Sequence, residues 1–336
     1  MGFLFVGDFH LGAYPKGVPA SYSYLKSIFA QLEEYALKHG YENIVQLGDL
    51  HDSVGVSEED RIFYIEQFSK SKLNWKIYYG NHDFLDANYN TLSYYKRLQK
   101  TLGVLKNVEF YTEPTQTEIE GTKVAILPWP YNKVKSKVPL VCFGHFAAKG
   151  AKGDNGFSLK EGASISDKHY WLIGDLHTYQ KGRYHTYIGS PLQLKYGDTP
   201  KRYFGVFEGR ATRPNVSRIE IQLPYRLEQV VCTSIDDIGK MLADLKNRDP
   251  NVYSQLKLGA EVLADYRYEE IKAIPQTNIV FTGKVRKEDD TKDSVVLIDS
   301  KSVREDLVKK RLKKKGFDSA AIKKALAIIK SLETGV

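Results

Sequence analysis

Between residues 8 and 177 the chain carries five short groups of acids, imidazoles and one amide. They are Asp8-Phe9-His10, Gly48-Asp49, Gly80-Asn81-His82-Asp83, Gly144-His145 and Gly174-Asp175-Leu176-His177. Carboxylate oxygens mixed with imidazole nitrogens suit a borderline divalent ion such as Mn, Fe or Zn, rather than calcium or a thiolate-bound metal. Two such ions about 3.5–4 Å apart activate water and neutralise the equatorial oxygens of a phosphoryl centre. A pair of ions needs a shared acid, and Asp49, central in the order, is placed to bridge. His82 stands beside the ligand Asn81, where it can protonate a leaving alkoxide or stabilise its charge, with Asp83 as an orienting partner. His51 reads either as a residue close to the metals or substrate or as an exposed loop histidine. His169 and His185 stand in no motif and read as structural.

Such residues must be delivered by a frame. Each group follows a short apolar run, and in α/β sheets ligand-bearing residues gather beyond the carboxyl ends of strands. Gly2–Val6, Ile44–Leu47 and Lys76–Tyr79 read as strands. Between them, Tyr22–His39 is an amphipathic helix with Leu25, Ile28, Phe29, Leu32, Tyr35 and Ala36 on one face. Ser57–Ser69 is a second helix, opened by Ser57 with acids in its first turn. Strands separated by helices imply parallel βαβ connections. After Asn107 the texture changes to short strands at Val108–Tyr111, Thr115–Ile119, Val124–Leu127, Leu140–Phe143, Tyr170–Ile173, His185–Ile188 and Tyr203–Glu208, which read as a second, more antiparallel sheet. The expected organisation is an α/β core over 1–212, a small α+β unit over 213–299 and a helical tail over 300–336. In the second unit, Ile219–Gln222, Leu227–Thr233 and Asn278–Val285 read as strands and Ile235–Asn247 as a helix.

The 336 residues carry a formal charge of +8, with 42% hydrophobic and 27% charged residues, the balance of a soluble globular protein. The charge is not spread evenly. Residues 301–336 hold eleven Lys or Arg against four Asp or Glu, so the rest is nearly neutral. No apolar run reaches the roughly 18 residues a membrane span needs. The apolar start carries Asp8 and His10 and reads as a buried strand rather than a signal peptide. The two cysteines, Cys142 and Cys232, read most simply as reduced in a cytoplasmic protein. The glycine-rich stretch after His145 carries Lys149, Lys152 and Lys160, which could touch phosphates but read better as a solvated flexible loop.

The five groups together resemble the calcineurin-like metallophosphoesterases, whose pattern is D-x-H, G-D-x-x-D, G-N-H-D/E, G-H and G-H-x-H; Asp49 and Asp52 match the second motif. Within that superfamily the chain is most similar to the SbcD-type nuclease subunits of recombination and double-strand-break repair. The signs are Gly7-Asp8-Phe9-His10-Leu11-Gly12 and Tyr187-Ile188-Gly189-Ser190-Pro191-Leu192-Gln193. The resemblance covers residues 1–210 well and the remainder only in layout. It implies a four-layer αββα sandwich with a small capping domain that helps position DNA. It assigns Asp8, His10, Asp49 and His177 to one divalent ion, and Asp49, Asn81, His145 and Asp175 to the other. His82 becomes the catalytic imidazole. Position 175 departs from the pattern, with Asp where the family has His. Mn²⁺ is the implied metal, with Mg²⁺ as an alternative.

The tail repeats apolar residues at helical spacing: Leu307, Val308 and Leu312, then Ile322, Ala325, Leu326, Ile329 and Leu332. Two such helices cannot bury much surface alone. In the resembled proteins C-terminal helices dock on a coiled-coil SbcC-type ATPase, and residues 300–336 look like that element; a basic arm binding DNA phosphates is the other reading. The implied assembly is a homodimer with DNA as substrate. Rival functions are a phosphatase or phosphodiesterase for a small substrate, or a non-catalytic scaffold for the ATPase, which only Asp175 favours.

Overall fold

The structure is a computed structural model that describes residues 2–13, 15, 18, 22–86, 89–154, 156–232, 237–259 and 273–282. The basic tail and the 284–293 loop lie outside these residues. The chain divides into two compact units, Met1–Leu227 and Glu228–Val336.

In the first unit, β1 (Gly2–Val6), β2 (Asn43–Gln46), β3 (Asn74–Tyr78) and β6 (Val108–Tyr111) lie side by side and parallel. Helices α1 (Tyr22–His39), α2 (Glu58–Lys70) and α3 (Thr91–Leu102) link these strands. Ser57 caps α2, its hydroxyl accepting from the Asp60 N–H, and Glu58, Glu59 and Asp60 face the positive end of the helix dipole. The apolar stripe of α1 buries Leu25, Ile28, Phe29 and Leu32 with Phe63, Phe68 and Trp75. An antiparallel hairpin, β13 (Tyr203–Arg210) and β14 (Arg213–Glu220), extends the sheet beside β1. That hairpin runs across the expected boundary at 212, because β14 finds its hydrogen-bond partners on β13. Two short strands, β4 (Phe84–Asp86) and β5 (Tyr89–Asn90), form a separate ribbon.

The second sheet runs in the order β11 (Gln180–Lys181), β12 (His185–Tyr187), β10 (Tyr170–Gly174), β9 (Val141–His145), β8 (Thr122–Leu127), β7 (Thr115–Ile119). It is not the mainly antiparallel sheet expected. Its four central strands are parallel, and only the edges β7 and β11 run the other way. The burial of β9 and β10 along their whole length fits strands covered on both faces. Their crossovers, however, are irregular chain rather than helices, so no helical periodicity announces them.

Phe3, Phe5, Val45, Tyr78, Val124, Phe143 and Leu172 fill the space between the two sheets. The outer face of the second sheet carries Cys142, Trp171, Ile173 and Tyr187, covered by Phe146, Ala148, Ala151 and Leu159. The fourth layer of the sandwich is therefore made, among the described residues, by turns over 146–168. The expected α/β sandwich stands, with its described helices on one side only.

The second unit has a three-stranded sheet, β15 (Arg226–Cys232), β16 (Val252–Gly259) and β17 (Thr277–Thr282), with α4 (Ile238–Lys246). Met241, Leu242, Leu245, Leu256 and Leu258 form its core. Both cysteines are buried. No described helix is long and apolar enough to cross a membrane.

Candidate metal centre

The five groups meet at the carboxyl ends of β1, β2, β3, β9 and β10. The first two loops are zipped together by their backbones: the N–H groups of Phe9 and His10 both donate to the Asp49 carbonyl at 3.0 Å, and Leu11 N–H donates to Leu50. His10, Asp49 and Asp175 all sit at positive φ, at 42°, 50° and 90°. Non-glycine residues in that region cost on the order of 1–3 kcal/mol each and persist only where their surroundings hold them. Close approach is also built in. A Cβ at Gly80 would lie 2.6 Å from the Asp49 nitrogen and 2.7 Å from His145 Cε1, and one at Gly174 would lie 2.6 Å from His145 Nδ1.

Three imidazoles, His82, His145 and His177, share one arrangement, with Nδ1 anchored and Nε2 turned away from the anchor. His145 Nδ1 lies 2.8 Å from the Leu47 carbonyl, and His82 Nδ1 lies 2.6 Å from the Asp52 carbonyl. A carbonyl only accepts, so both nitrogens carry the proton. His177 Nδ1 pairs with Asp154 Oδ2 at 2.8 Å. His10 Nδ1 lies 3.2 Å from Asp52 Oδ1, although off the line of a hydrogen bond.

Three of the Nε2 atoms converge. Those of His10 and His177 are 3.1 Å apart, and His145 Nε2 lies 3.1 Å from Asp49 Oδ2 and 3.0 Å from Asn81 Oδ1. Neighbouring donors on one small divalent ion, each about 2.0–2.2 Å from it, are spaced by about 3 Å. Asp8 Oδ1 is buried with no hydrogen-bond partner. A buried carboxylate oxygen left bare is costly unless a cation meets it, so the residues present fit a metal centre. Two overlapping donor sets stand out, Asp8 with His10 and His177, and Asp8 with Asp49 and His145; a third joins His10, Asp52 and His82. Asp49 Oδ2 stands between the imidazoles, 3.5 Å from His10 Nε2 on its other side, while Asp49 Oδ1 accepts from the His82 N–H at 2.9 Å.

The electrostatics follow from packing acids and imidazoles out of water. Burial pushes Asp8 up to about 6, against the pull of His145 and His177. Burial would raise Asp49 too, but His145 and His10 outweigh it and hold that carboxyl at about 2. Burial opposes charge on His145, yet Asp49 and Asp8 lift it to about 10. The neighbouring acids thus favour the charged form of this imidazole.

Not every expected residue takes its expected place. Asp83 does not orient His82. Its buried carboxylate accepts from the N–H groups of Leu50, His51 and Gly80 and from the Thr91 hydroxyl, pinning the second loop to the third. His82 and Asp83 are consecutive on a turn, and their side chains leave it in different directions. His51 is neither exposed nor turned to the site: it is buried, its Nε2 lies 2.9 Å from Tyr95 Oη, and burial holds its pKa down to about 3. Asp175 lies in none of the three donor sets. Its N–H donates to Asp8 Oδ2 at 3.0 Å, while burial raises its carboxyl, opposed chiefly by His145. His169 is structural, its Nδ1 accepting from Leu140 N–H.

Two residues were missing from the expected set. Asp52 sits between His10 and His82, and its match to the second motif was the available signal. Asp154 had none, since it lies in the glycine- and lysine-rich stretch that reads as a solvated loop. The Gly189–Gln193 stretch acts as a buttress: Ser190 Oγ donates to the Asp8 carbonyl at 2.8 Å and Ser190 N–H to the His177 carbonyl at 3.2 Å.

Residues 1–128 match the family described as calcineurin-like phosphoesterase. The match takes in the first three of the five groups; His145, Asp175 and His177 lie beyond it. The chain is also similar to exonuclease subunit 1 of Enterobacteria phage T4, at 25% identity over 233 residues, spanning 63% of this chain and 66% of that protein, just under two thirds of its length. A solved archaeal phosphodiesterase is 12% identical, covering 65% of this chain and 100% of its own, at a TM-score of 0.34. A hypothetical protein from Pyrococcus horikoshii is 12% identical, covering 74% and 94%, at a TM-score of 0.35.

Proposed function

We propose that this phosphoesterase is a two-metal DNA nuclease, an exonuclease with endonuclease capacity, acting in recombination and repair as the nuclease subunit of a complex with an SbcC-type ATPase. The observation that carries the reading is the convergence of three Nε2 atoms, a bare Asp8 oxygen and Asp49 Oδ2 within one buried cluster. Asp8, His10, Asp49 and His177 would hold one ion; Asp49, Asn81 and His145, with Asp175 beside them, would hold the second. Mn²⁺ fits this mixture of nitrogen and oxygen donors, with Mg²⁺ the alternative. When bound, such a pair supplies Lewis-acid neutralisation of the phosphate and activation of the attacking water.

The chain's own residues do the rest. The burial of Asp8, His10, Asp49 and His145 excludes bulk water from one side of the centre. His82 marks the open side, its side chain 42% exposed. With Nδ1–H held by the Asp52 carbonyl, His82 presents Nε2 outward, where it can hold a proton and deliver it to the leaving alkoxide.

DNA as substrate is supported by the similar phage protein, which is named an exonuclease subunit, and by the basic residues gathered in 301–336. The word subunit also supports a partner, for which the apolar stripe of 300–336 is the proposed docking element, together with a homodimer. The small unit after the core, expected over 213–299, is proposed to help position DNA. The sequence holds only two cysteines, both buried, which fits a reducing, cytoplasmic setting.

The test is cleavage of end-labelled linear duplex DNA with Mn²⁺, Mg²⁺ or EDTA, beside Asp49→Ala. Mn²⁺-dependent shortening that the variant abolishes is the expected result. Hydrolysis of a small aryl phosphodiester without DNA cleavage, with and without an ATPase partner, would move the protein to the small-substrate reading. No hydrolysis of either, with metal bound, would leave it a scaffold.

A further inference from the structure

Asp154 lies 23 residues before His177 in a segment without helix or long strand. That segment is nonetheless held in place. Backbone bonds from Lys149 to Ala163, from Gly150 to Leu159, from Leu159 to Ala151 and from Gly153 to Phe157 fold it back on itself. The Gln180 side chain grips the Lys152 backbone on both sides, accepting its N–H at 2.7 Å and donating to its carbonyl at 2.6 Å.

The carboxylate so delivered touches His177 twice. Asp154 Oδ2 pairs with Nδ1 at 2.8 Å, and Asp154 Oδ1 accepts from the His177 N–H at 3.1 Å. From another side, Arg202 donates to the His177 carbonyl at 2.8 Å while pairing with Asp198 at 3.2 Å. His177 is therefore fixed at its ring, its N–H and its carbonyl.

We infer that Asp154 is a positioning residue for the metal centre, holding the His177 ring as its Nδ1–H tautomer so that Nε2 is the nitrogen offered to a cation. This rests on reading His177 as a ligand. A ligating imidazole binds best when its other nitrogen donates to a carboxylate, which fixes the ring and raises its basicity; loss of such partners lowers metal affinity by roughly 10- to 100-fold. The glycine-rich segment after His145 then acts as an arm that reaches back to complete the centre. Its lysines 149, 152 and 160 remain exposed on that arm.

The test is Mn²⁺ titration of the full chain by calorimetry, with ¹⁵N spectra of the metal-free imidazoles, for wild type, Asp154→Ala, Asp154→Asn and His177→Ala. His177→Ala is expected to lose one of two ions. Asp154→Ala is expected to weaken that same ion roughly 10- to 100-fold, leave the other unchanged and mix the His177 tautomers. Asp154→Asn, close in shape, keeps the fold if the alanine variant does not, and is expected to fall between. Loss of an ion in His177→Ala with unchanged affinity and tautomer in both Asp154 variants would overturn the positioning role. Two ions retained in His177→Ala would overturn the ligand reading beneath it.

Discussion

His82 hangs from the backbone of Asp52: its Nδ1 lies 2.6 Å from that carbonyl, and no side chain of its own motif holds it. The anchor fixes which nitrogen faces outward without burying the ring. His82→Ala should therefore remove an exposed proton carrier and little else. Cleavage is expected to fall by about 100-fold or more, the range general acid–base catalysis supplies. Mn²⁺ stoichiometry and melting temperature should stay near wild type. A variant that cleaves normally would remove His82 from the chemistry.

Asp83 should behave in the opposite way. Three backbone N–H groups and one hydroxyl converge on its buried carboxylate. Asp83→Ala leaves those donors without a partner, at a cost on the order of 3 kcal/mol, read as a lower denaturation midpoint. Asp83→Asn can accept only part of that set and should fall between. Unchanged stability in both variants would contradict the role assigned here.

The same packing makes metal binding a proton exchange. His145 is raised to about 10 in the metal-free protein, so it is charged at pH 7 and must lose its proton to ligate. The sign for stability follows. The stabilisation from its pairing with Asp49 is fully present below the unfolded imidazole range near 6.5 and is lost as pH rises through about 10. Asp8, raised from 3.8 to about 6, has the same sign in a lower window: burying its charge costs stability as pH rises from about 4 through 6. Added Mn²⁺ should therefore raise the melting temperature more at pH 7 than at pH 5. Calorimetry at pH 7 in buffers of different ionisation enthalpy should show proton release on binding; buffer-independent heats would contradict it.

Gly80 tests how closely the loops must approach. A methyl group there would meet the Asp49 backbone and the His145 ring. Gly80→Ala is expected to lose ion binding at Asp49, Asn81 and His145, with a lowered melting temperature. Wild-type Mn²⁺ affinity in this variant would mean that the spacing of that loop is unimportant.

The clustering of candidate ligands was legible because metal chemistry demands particular side chains at strand ends, and Asp8, Asp49 and Asn81 each follow an apolar strand while His145 ends one. Helix α1 was legible to the residue from its stripe. The parallel second sheet was not, because its crossovers carry no periodicity. Helix α3 was missed although Asn90 caps it and Gly103 ends it; its tyrosines blur the apolar face. Asp154 was hidden because a long-range contact between an irregular loop and a histidine leaves no local pattern. Asp83 misled by adjacency, since neighbours along a turn need not face one another.

These side chains are proposed to form a two-ion centre. Anomalous diffraction from crystals grown with Mn²⁺ tests it most directly. Two peaks are predicted, one against Asp8, His10 and His177 and one against Asn81 and His145, with Asp49 touching both. No peak in this cluster, or a single ion held without Asp49, would contradict the account.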